Sequence, residues 1–378
     1  MVGSPLQRTQ PTVDAQGSGA PRRARRGWTP RGPRDHDAAM GMRRLDGADG
    51  FVVSDLDGLE RHGGVARCAP KVLADSAWLL ARCATYQFAS LELPIGGASV
   101  GVNAAGDGRA DGVTAAVSAL TGAVGEGLFV DAGRGLTDGD LAPLHALDGR
   151  PPAYHELRST LTGEGVAAAV GSVRPLEGAS VAIESLDEVA VAFAIAVVRQ
   201  GGRVVAVARG GDVISAPGGI DPEALAGVVS GGTNLNDLGS PITAAELLGT
   251  EATVLAVGSK LGAIDHEAAA SVAAGVVAPI GWVPVTTRAL AVLGRREITV
   301  LPDFIALGGP MVASGLTGPP ATGSEAVTAA AALVTAMVGE AAGAVDDDHP
   351  SLVLAACGRA ESYLIRQGVE LPTSRPLG

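Results

Sequence analysis

Lysine is almost absent from this sequence, whose 378 residues include two, Lys71 and Lys260. Lysine amines hold anionic ligands and serve as general acids and bases, so chemistry that needs several of them lacks those groups here. Aromatic residues are also scarce, at 3%, whereas 47% of residues are hydrophobic, 18% are charged and 54 are glycine. The apolar mass is therefore alanine, valine and leucine, which is typical of an α/β protein and unlike a disordered chain.

Cysteines, long apolar runs and metal-ligand motifs are scarce as well. The three cysteines (Cys68, Cys83 and Cys357) form no CxxC pair and no secretory signal peptide is recognisable, which predicts a reducing cytoplasm. Apolar runs fall short of the roughly 18–20 residues that cross a bilayer, so we expect a soluble protein without membrane partners. The six histidines show no HExxH or paired spacing. We therefore expect no metal, and place His145 and His155 on exposed loops.

Charge is distributed unevenly along the chain. The net charge is −12, yet residues 1–50 carry nine arginines against five aspartates, which leaves 19 basic and 35 acidic groups in the remainder. Such an acidic body repels phosphate backbones, so the folded part is not expected to bind nucleic acid. Residues 1–45 have no apolar period and are predicted to be a disordered basic tail. Two alternatives for these residues are an arm that binds a polyanion, and a protein whose translation starts at Met40 or Met42.

The rest of the chain is predicted to be an α/β protein of two domains with a cleft between them. Residues 50–172 form a substrate- and oligomerisation-type α/β domain, and residues 321–378 form helices that pack back on it. Residues 173–320 alternate short β-type runs with helices, which predicts a Rossmann-like, doubly wound parallel sheet.

Individual elements follow from the local patterns. In the first domain we expect helices over 69–88 and 112–123 and a strand over 91–94. In the second, we expect strands over 180–184, 203–208, 253–257, 275–280 and 298–301. A C-terminal pair of helices is expected over 324–342, capped by Ser324, and over 351–367.

The turn after the first strand of the second domain, residues 184–190, is where a dinucleotide pyrophosphate would meet a glycine-rich loop. It contains no glycine. Ser185 and Glu188 have the S-x-x-E spacing of a capping box, and Asp187 adds a second carboxylate to the same turn. These charges oppose a pyrophosphate. Arg209 ends the next strand. It either binds a ribose 2′-phosphate or is a solvated arginine at the end of a strand.

Seven short motifs then occur in a fixed order, over residues 62–70, 85–101, 158–165, 176–183, 212–221, 254–264 and 302–314. In this order they resemble the motifs of the glutamate/leucine/phenylalanine/valine dehydrogenase family. The resemblance implies oxidative deamination of an amino acid, an NAD(P) cofactor and an oligomer.

The resemblance also assigns candidate site residues. The positions of three family lysines are taken by His62 and Gln87, as substrate-binding candidates, and by Ser99, as a catalytic candidate. Asp131 matches the catalytic aspartate, and Ser314 matches the serine that binds the substrate carboxylate. For the cofactor, the matching positions are Thr162, near the nicotinamide, Gly281, where the family has asparagine, and the turn and strand residues Ser185, Asp187 and Arg209.

Because the changes fall on the lysines, the loop glycines and the asparagines while the scaffold motifs survive, the sequence suggests a degenerate family member. We expect it to act as a binding or partner subunit, in a homo-oligomer or with an active paralogue, with dinucleotide binding lost. One alternative is an active NAD(P)-dependent oxidoreductase with an altered site. Another is a sensor that binds an amino acid or other small ligand in the cleft without a dinucleotide.

Overall fold

The fold was taken from a computed structural model that describes residues 41–56, 58–371 and 374–377. Most of the predicted basic tail lies outside these residues. Its last part does not behave as a tail, because residues 41–44 form a strand that pairs with residues 51–54. Residues 41–44 are therefore not part of a tail, unlike in the prediction for residues 1–45.

The first domain is built on a five-stranded sheet with the order β1-β2-β4-β3-β5. Strands β3, β4 and β5 run parallel, and β2 is antiparallel to both β1 and β4. The strands are β1 Gly41–Arg44, β2 Gly50–Ser54, β3 His62–Ala69, β4 Gly96–Asn103 and β5 Leu128–Ala132. The helices of this part are α1 Ala74–Ser90, α2 Arg109–Gly125, α3 Asp138–His145 and α4 Pro152–Val173.

The strand expected over residues 91–94 is wrong. The chain turns tightly after α1, with the Leu93 amide donating to the Phe88 carbonyl and Glu92 at a positive φ of 54°. The strand begins only at Gly96, where β4 lies against α1 so closely that a Cβ on Gly97 would stand 1.6 Å from the Ala81 carbonyl oxygen. Glycine at this position allows the helix to sit on the sheet.

The second domain is a seven-stranded sheet with the order β12-β11-β10-β6-β7-β8-β9. The five predicted strands are present as parallel neighbours, and β8 and β9 add an antiparallel edge. The strands are β6 Ser180–Ile183, β7 Arg203–Arg209, β8 Asp212–Ile220, β9 Ser240–Pro241, β10 Val254–Val257, β11 Val276–Pro279 and β12 Thr299–Val300. The helices are α5 Glu188–Arg199, α6 Pro222–Ser230, α7 Ala244–Leu248, α8 Ala268–Ser271, α9 Thr287–Arg295 and α10 Asp303–Ala306. The Rossmann-like fold is confirmed.

Strand order reverses at β6, because β7 follows on one side of it and β10 lies on the other. In open α/β sheets, ligands bind beyond the carboxyl ends of the strands at such a reversal. The carboxyl ends of β6 and β10 therefore mark the place where the second domain would hold a ligand.

The last two helices, α11 Gly323–Ala342 and α12 Leu352–Arg366, pack on the first part of the chain, with α11 against α4 and α12 against α1. Ser324 is not the cap of α11, which begins after Thr322. Within the described residues, α11 is the one helix long and apolar enough to cross a membrane. Its Ala330 and Val334 are fully buried.

Candidate functional site

The carboxyl ends of β6 and β10 are joined by one side chain, that of Glu184. Its carboxylate accepts the backbone amides of Gly258 and Ser259 at 3.2 and 3.0 Å, and the Ser259 hydroxyl as well. Successive backbone N–H groups that point to one spot form a cradle for an anion. At the order reversal of the sheet, this cradle holds the chain's own carboxylate.

The amino end of α5 is likewise occupied from within. Asp187 is the residue before the helix, and its carboxylate accepts the Ala190 amide at 2.9 Å. The predicted Ser185–Glu188 capping box is therefore wrong, because Glu188 is already the first helical residue. The two candidate caps, Ser185 and Asp187, lie two residues apart, and the carboxylate nearer the helix accepts a free amide of its first turn. Burial raises the pKa of Asp187.

Two other predicted cofactor residues lie along the same edge. Arg209 ends β7 and donates to the Val229 carbonyl at 3.2 Å, and its Nη1 is buried without a partner in the described part of the chain. Gly281 follows β11 and lies back to back with Gly258, since a Cβ on Gly281 would stand 2.6 Å from the Gly258 carbonyl oxygen. Residue 281 must therefore be glycine for packing, and offers no side chain to a ligand.

Asp131 lies at the end of β5 in a network of ion pairs. Arg150 Nη1 and the Tyr154 hydroxyl each donate to its carboxylate at 2.7 Å, while Arg150 also pairs with the buried Asp148. Burial opposes the charged form of Asp131, but the charges of Arg150 and Arg158 and the two hydrogen bonds outweigh it and lower its pKa. A carboxylate held ionised in this way is a poor proton acceptor at neutral pH.

The two histidines next to this network are not on exposed loops, which corrects the prediction for them. His145 ends α3, His155 lies in the first turns of α4, and their rings stack at 3.9 Å with an interplanar angle of 15°. Burial lowers the pKa of His145, and burial with the neighbouring His145 lowers that of His155 to about 4. The order β5, α3, α4 along the chain is the signal that could have predicted this, because it brings both histidines back to the end of β5.

The residues at the three lysine positions are placed differently from one another. His62 begins β3 and its Nε2 lies 3.3 Å from the Leu56 carbonyl. Gln87 is buried in α1 at 6% exposure, and Ser99 is at 0% in the middle of β4, its hydroxyl without a partner among the described residues. A group as buried as Ser99 cannot reach a ligand in an open cleft.

Ser99 and Asp131 are not brought together. Both pair with Val65, from opposite sides of β3, so two strand spacings of about 4.8 Å separate their backbones. Direct proton transfer between side chains needs heavy atoms within about 3 Å. The two predicted catalytic residues therefore do not form a catalytic pair.

Two further predicted residues are satisfied by local backbone. The Ser314 hydroxyl donates to the Met311 carbonyl and accepts the Leu316 amide, and the residue is 3% exposed. The Thr162 hydroxyl donates to the Arg158 carbonyl one turn earlier in α4.

Comparison with known proteins extends the sequence resemblance. Residues 155–318 match the model of the Glutamate/Leucine/Phenylalanine/Valine dehydrogenase family. This segment, less than half of the chain, is thus similar to that family. A curated glutamate dehydrogenase of Aeropyrum pernix is 32% identical over 164 residues, which are 42% of this chain and 39% of that protein. The aligned region thus spans less than half of this dehydrogenase relative.

Solved dehydrogenase structures share the fold over a longer stretch. A hetero-hexameric glutamate dehydrogenase from Thermus thermophilus, in a Leu-bound form, has a TM-score of 0.72 and 24% identity, covering 85% of this chain and 86% of that one. A glutamate dehydrogenase from Plasmodium falciparum has a TM-score of 0.70 and 14% identity, covering 88% and 83%. Both domains of the dehydrogenase fold are therefore present here.

The dehydrogenase family uses NAD(P), and the residues at this chain's reversal point do not fit that cofactor. Carboxylates from Glu184 and Asp187 take the backbone amides that would receive phosphate oxygens. Glu184 begins the turn of residues 184–190, but no motif in the sequence marks it. An acidic residue directly after the first strand of the second domain is the signal that could have identified it.

Proposed function

We propose that this chain is a catalytically degenerate member of the dehydrogenase family that acts as a binding or partner subunit without a dinucleotide. The observation that carries the proposal is the contact of the Glu184 carboxylate with the amides of Gly258 and Ser259. It supplies, from within the chain, the anion that the order reversal of the sheet is built to receive.

Electrostatics supports the same conclusion. A phosphate brought within about 4 Å of a carboxylate meets repulsion of about 4 kcal/mol per pair of charges at an effective dielectric of about 20. Glu184 and Asp187 stand at the two places, strand end and helix start, that a pyrophosphate would need. Binding would first have to break their hydrogen bonds and then place like charges together.

The first domain supports the loss of the reaction. Asp131 is held ionised by Arg150 and Tyr154, and Ser99 is sealed inside β4. The chain's two lysines, Lys71 and Lys260, do not occupy the three family lysine positions. A charged donor for a substrate carboxylate is therefore missing from these positions, and so is an amine with a tunable pKa.

The partner role is supported by one relative. The Thermus thermophilus structure is described as hetero-hexameric and Leu-bound. By analogy, we propose that this chain assembles with itself or with a related dehydrogenase chain, and takes an amino acid as ligand, in the cytoplasm. Fold-level analogy carries this step, so it needs its own experiment.

Dinucleotide binding is tested by thermal unfolding of the purified chain with millimolar NAD⁺, NADH, NADP⁺ and NADPH. We expect no shift in Tm. Specific binding at a thousandfold excess over Kd would add about 4 kcal/mol and raise Tm by several degrees. The Aeropyrum pernix glutamate dehydrogenase serves as the positive control, and a shift of several degrees in this chain would overturn the proposal.

Assembly is tested by tagging the chain in its own cells and identifying what purifies with it at several protein concentrations. A related dehydrogenase chain in fixed ratio, or a homo-oligomer by light scattering, is expected. A monomer free of any related chain at every concentration would refute the partner role while leaving the dinucleotide result standing. Addition of leucine and other amino acids in the same thermal assay tests the ligand.

One observation favours the active alternative. Nη1 of Arg209 is buried at the end of β7 without a partner in the described residues, as a guanidinium awaiting a phosphate would be. An active enzyme would reduce a nicotinamide in the presence of an amino acid. The absence of turnover over a broad amino-acid panel, with both NAD⁺ and NADP⁺, excludes it.

A further inference from the structure

Three potential metal ligands meet where β5, α3 and α4 converge. Asp131, His145 and His155 each offer one ligand atom, and these atoms all lie within 4.8 Å of one another. We propose that this Asp–His–His cluster binds a divalent transition-metal ion of the Zn²⁺ type. The proposal is independent of whether the chain binds a dinucleotide, because the cluster lies in the first domain.

The histidines carry the strongest evidence. Both ring nitrogens of His155 are buried and have no hydrogen-bond partner among the described residues. A buried polar atom without a partner is costly, and an ion would satisfy one of these nitrogens. His145 Nε2 lies 3.2 Å from the Val130 carbonyl, which requires Nε2 to carry the proton. That contact leaves the lone pair on Nδ1 free, in the manner of metal-bound histidines whose other nitrogen donates to a carbonyl.

Asp131 is oriented as a carboxylate ligand usually is. The Tyr154 hydroxyl donates to one of its oxygens and Arg150 to the other, both at 2.7 Å. Each carboxylate oxygen has a second lone pair, so these bonds fix the group without exhausting its capacity. Hydrogen bonds from such outer partners hold a metal ligand in its position.

The charge around the cluster also admits a cation. Carboxylates of Asp131, Asp138 and Asp148 face the guanidinium groups of Arg150 and Arg158, which leaves one negative charge in excess. Asp148 Oδ1 lies 4.0 Å from His155 Nε2 and is the next carboxylate in reach. The nearest positive group, Arg150, is already paired with two aspartates.

Ligation would change the arrangement of the rings. The two imidazole rings are nearly parallel and their centroids lie 3.9 Å apart, so their nitrogen lone pairs point side by side and do not converge. Binding therefore tilts one ring out of the stack. Two imidazole nitrogens and one carboxylate oxygen leave a fourth, tetrahedral position for water, a donor set that Zn²⁺ and Co²⁺ accept well.

The experiment uses the full chain, treated with chelator and then dialysed. Calorimetry with ZnSO₄ is expected to show about one equivalent bound, and Co²⁺ is expected to give the visible bands of tetrahedral N/O ligation without thiolate charge transfer. His155→Ala and His145→Ala should each weaken Zn²⁺ binding by more than the ~10–100-fold that loss of an outer partner costs. His266→Ala, at an exposed histidine, is the matched control and should bind like the native chain.

Far-UV circular dichroism and Tm without metal establish that each variant is folded. Zn²⁺ binding that is substoichiometric in the native chain, or undiminished in His155→Ala, would overturn the proposal. A Co²⁺ spectrum with thiolate charge transfer would do so as well, because it would assign the ion to cysteine. The native Co²⁺ spectrum decides the question even if both histidine variants fail to fold.

Discussion

Truncating Asp131 distinguishes a carboxylate that serves the fold from one that serves a reaction. Asp131→Ala removes the acceptor of the Tyr154 hydroxyl and of Arg150 Nη1, both at 2.7 Å. Arg150 keeps Asp148, with contacts of 3.0 and 2.6 Å, so the guanidinium is not left uncompensated. A buried hydroxyl without a partner costs about 1–3 kcal/mol and a lost hydrogen bond to a charged group about 1.5–3 kcal/mol, so we expect a loss of about 3 kcal/mol.

The assay is equilibrium unfolding in urea at pH 7, followed by far-UV circular dichroism. Asp131→Asn keeps the shape and one acceptor oxygen and should lose less than Asp131→Ala. Asp346→Ala removes an exposed aspartate that pairs with His349, and should change the free energy of unfolding by less than about 1 kcal/mol.

The reasoning would be refuted if Asp131→Ala were as stable as the native chain or more so. Catalytic groups commonly reduce stability, so their removal tends to be neutral or stabilising. A stable Asp131→Ala variant that also abolished amino-acid-dependent reduction of a nicotinamide would assign the residue to catalysis and restore the oxidoreductase reading.

Three further outcomes follow from the packing and the buried charges. Gly97→Ala forces a Cβ to within 1.6 Å of a carbonyl oxygen of α1 and should prevent stable folding. Gly122→Ala adds a Cβ in open space on α2 and should raise Tm slightly, because the helix propensity of alanine is better than that of glycine by about 1 kcal/mol. Arg82→Met leaves Asp55, 0% exposed, without its bidentate partner and should cost about 3–5 kcal/mol in urea unfolding. The pKa of His155 is lowered to about 4, so the fold favours its neutral form, and its contribution to stability falls as the pH drops from about 6.5 to about 4. Over this pH interval, the Tm of His155→Gln should decline less than that of the native chain. An identical decline would contradict the pKa shift.

The repeating layout of the second domain could be read from the sequence because each strand is a short apolar run of its own. Runs at 180–184 and 253–257 correspond to β6 and β10, which differ from them by one residue at an end. The strand predicted at 91–94 was wrong because the apolar residues there form a tight turn after α1. Local composition identifies a strand only where no tighter turn competes for the same residues.

The site was less accessible to such reading because its partners are distant in the chain. Arg150 follows Asp131 by nineteen residues, and Glu184 meets Ser259 across seventy-five. Neither spacing is a motif. The family resemblance indicates which positions differ from the motifs, but only the three-dimensional arrangement shows which side chains contact one another there.

The paired carboxylates at the reversal point also constrain how this chain can change. Replacing Glu184 alone leaves the charge of Asp187 at the helix start, and replacing Asp187 alone leaves the cradle at Gly258 and Ser259 filled. Each single step loses hydrogen bonds that stabilise a loop without opening a site for phosphate. Under the proposed function, a phosphate site at this point would open only when both carboxylates are replaced together.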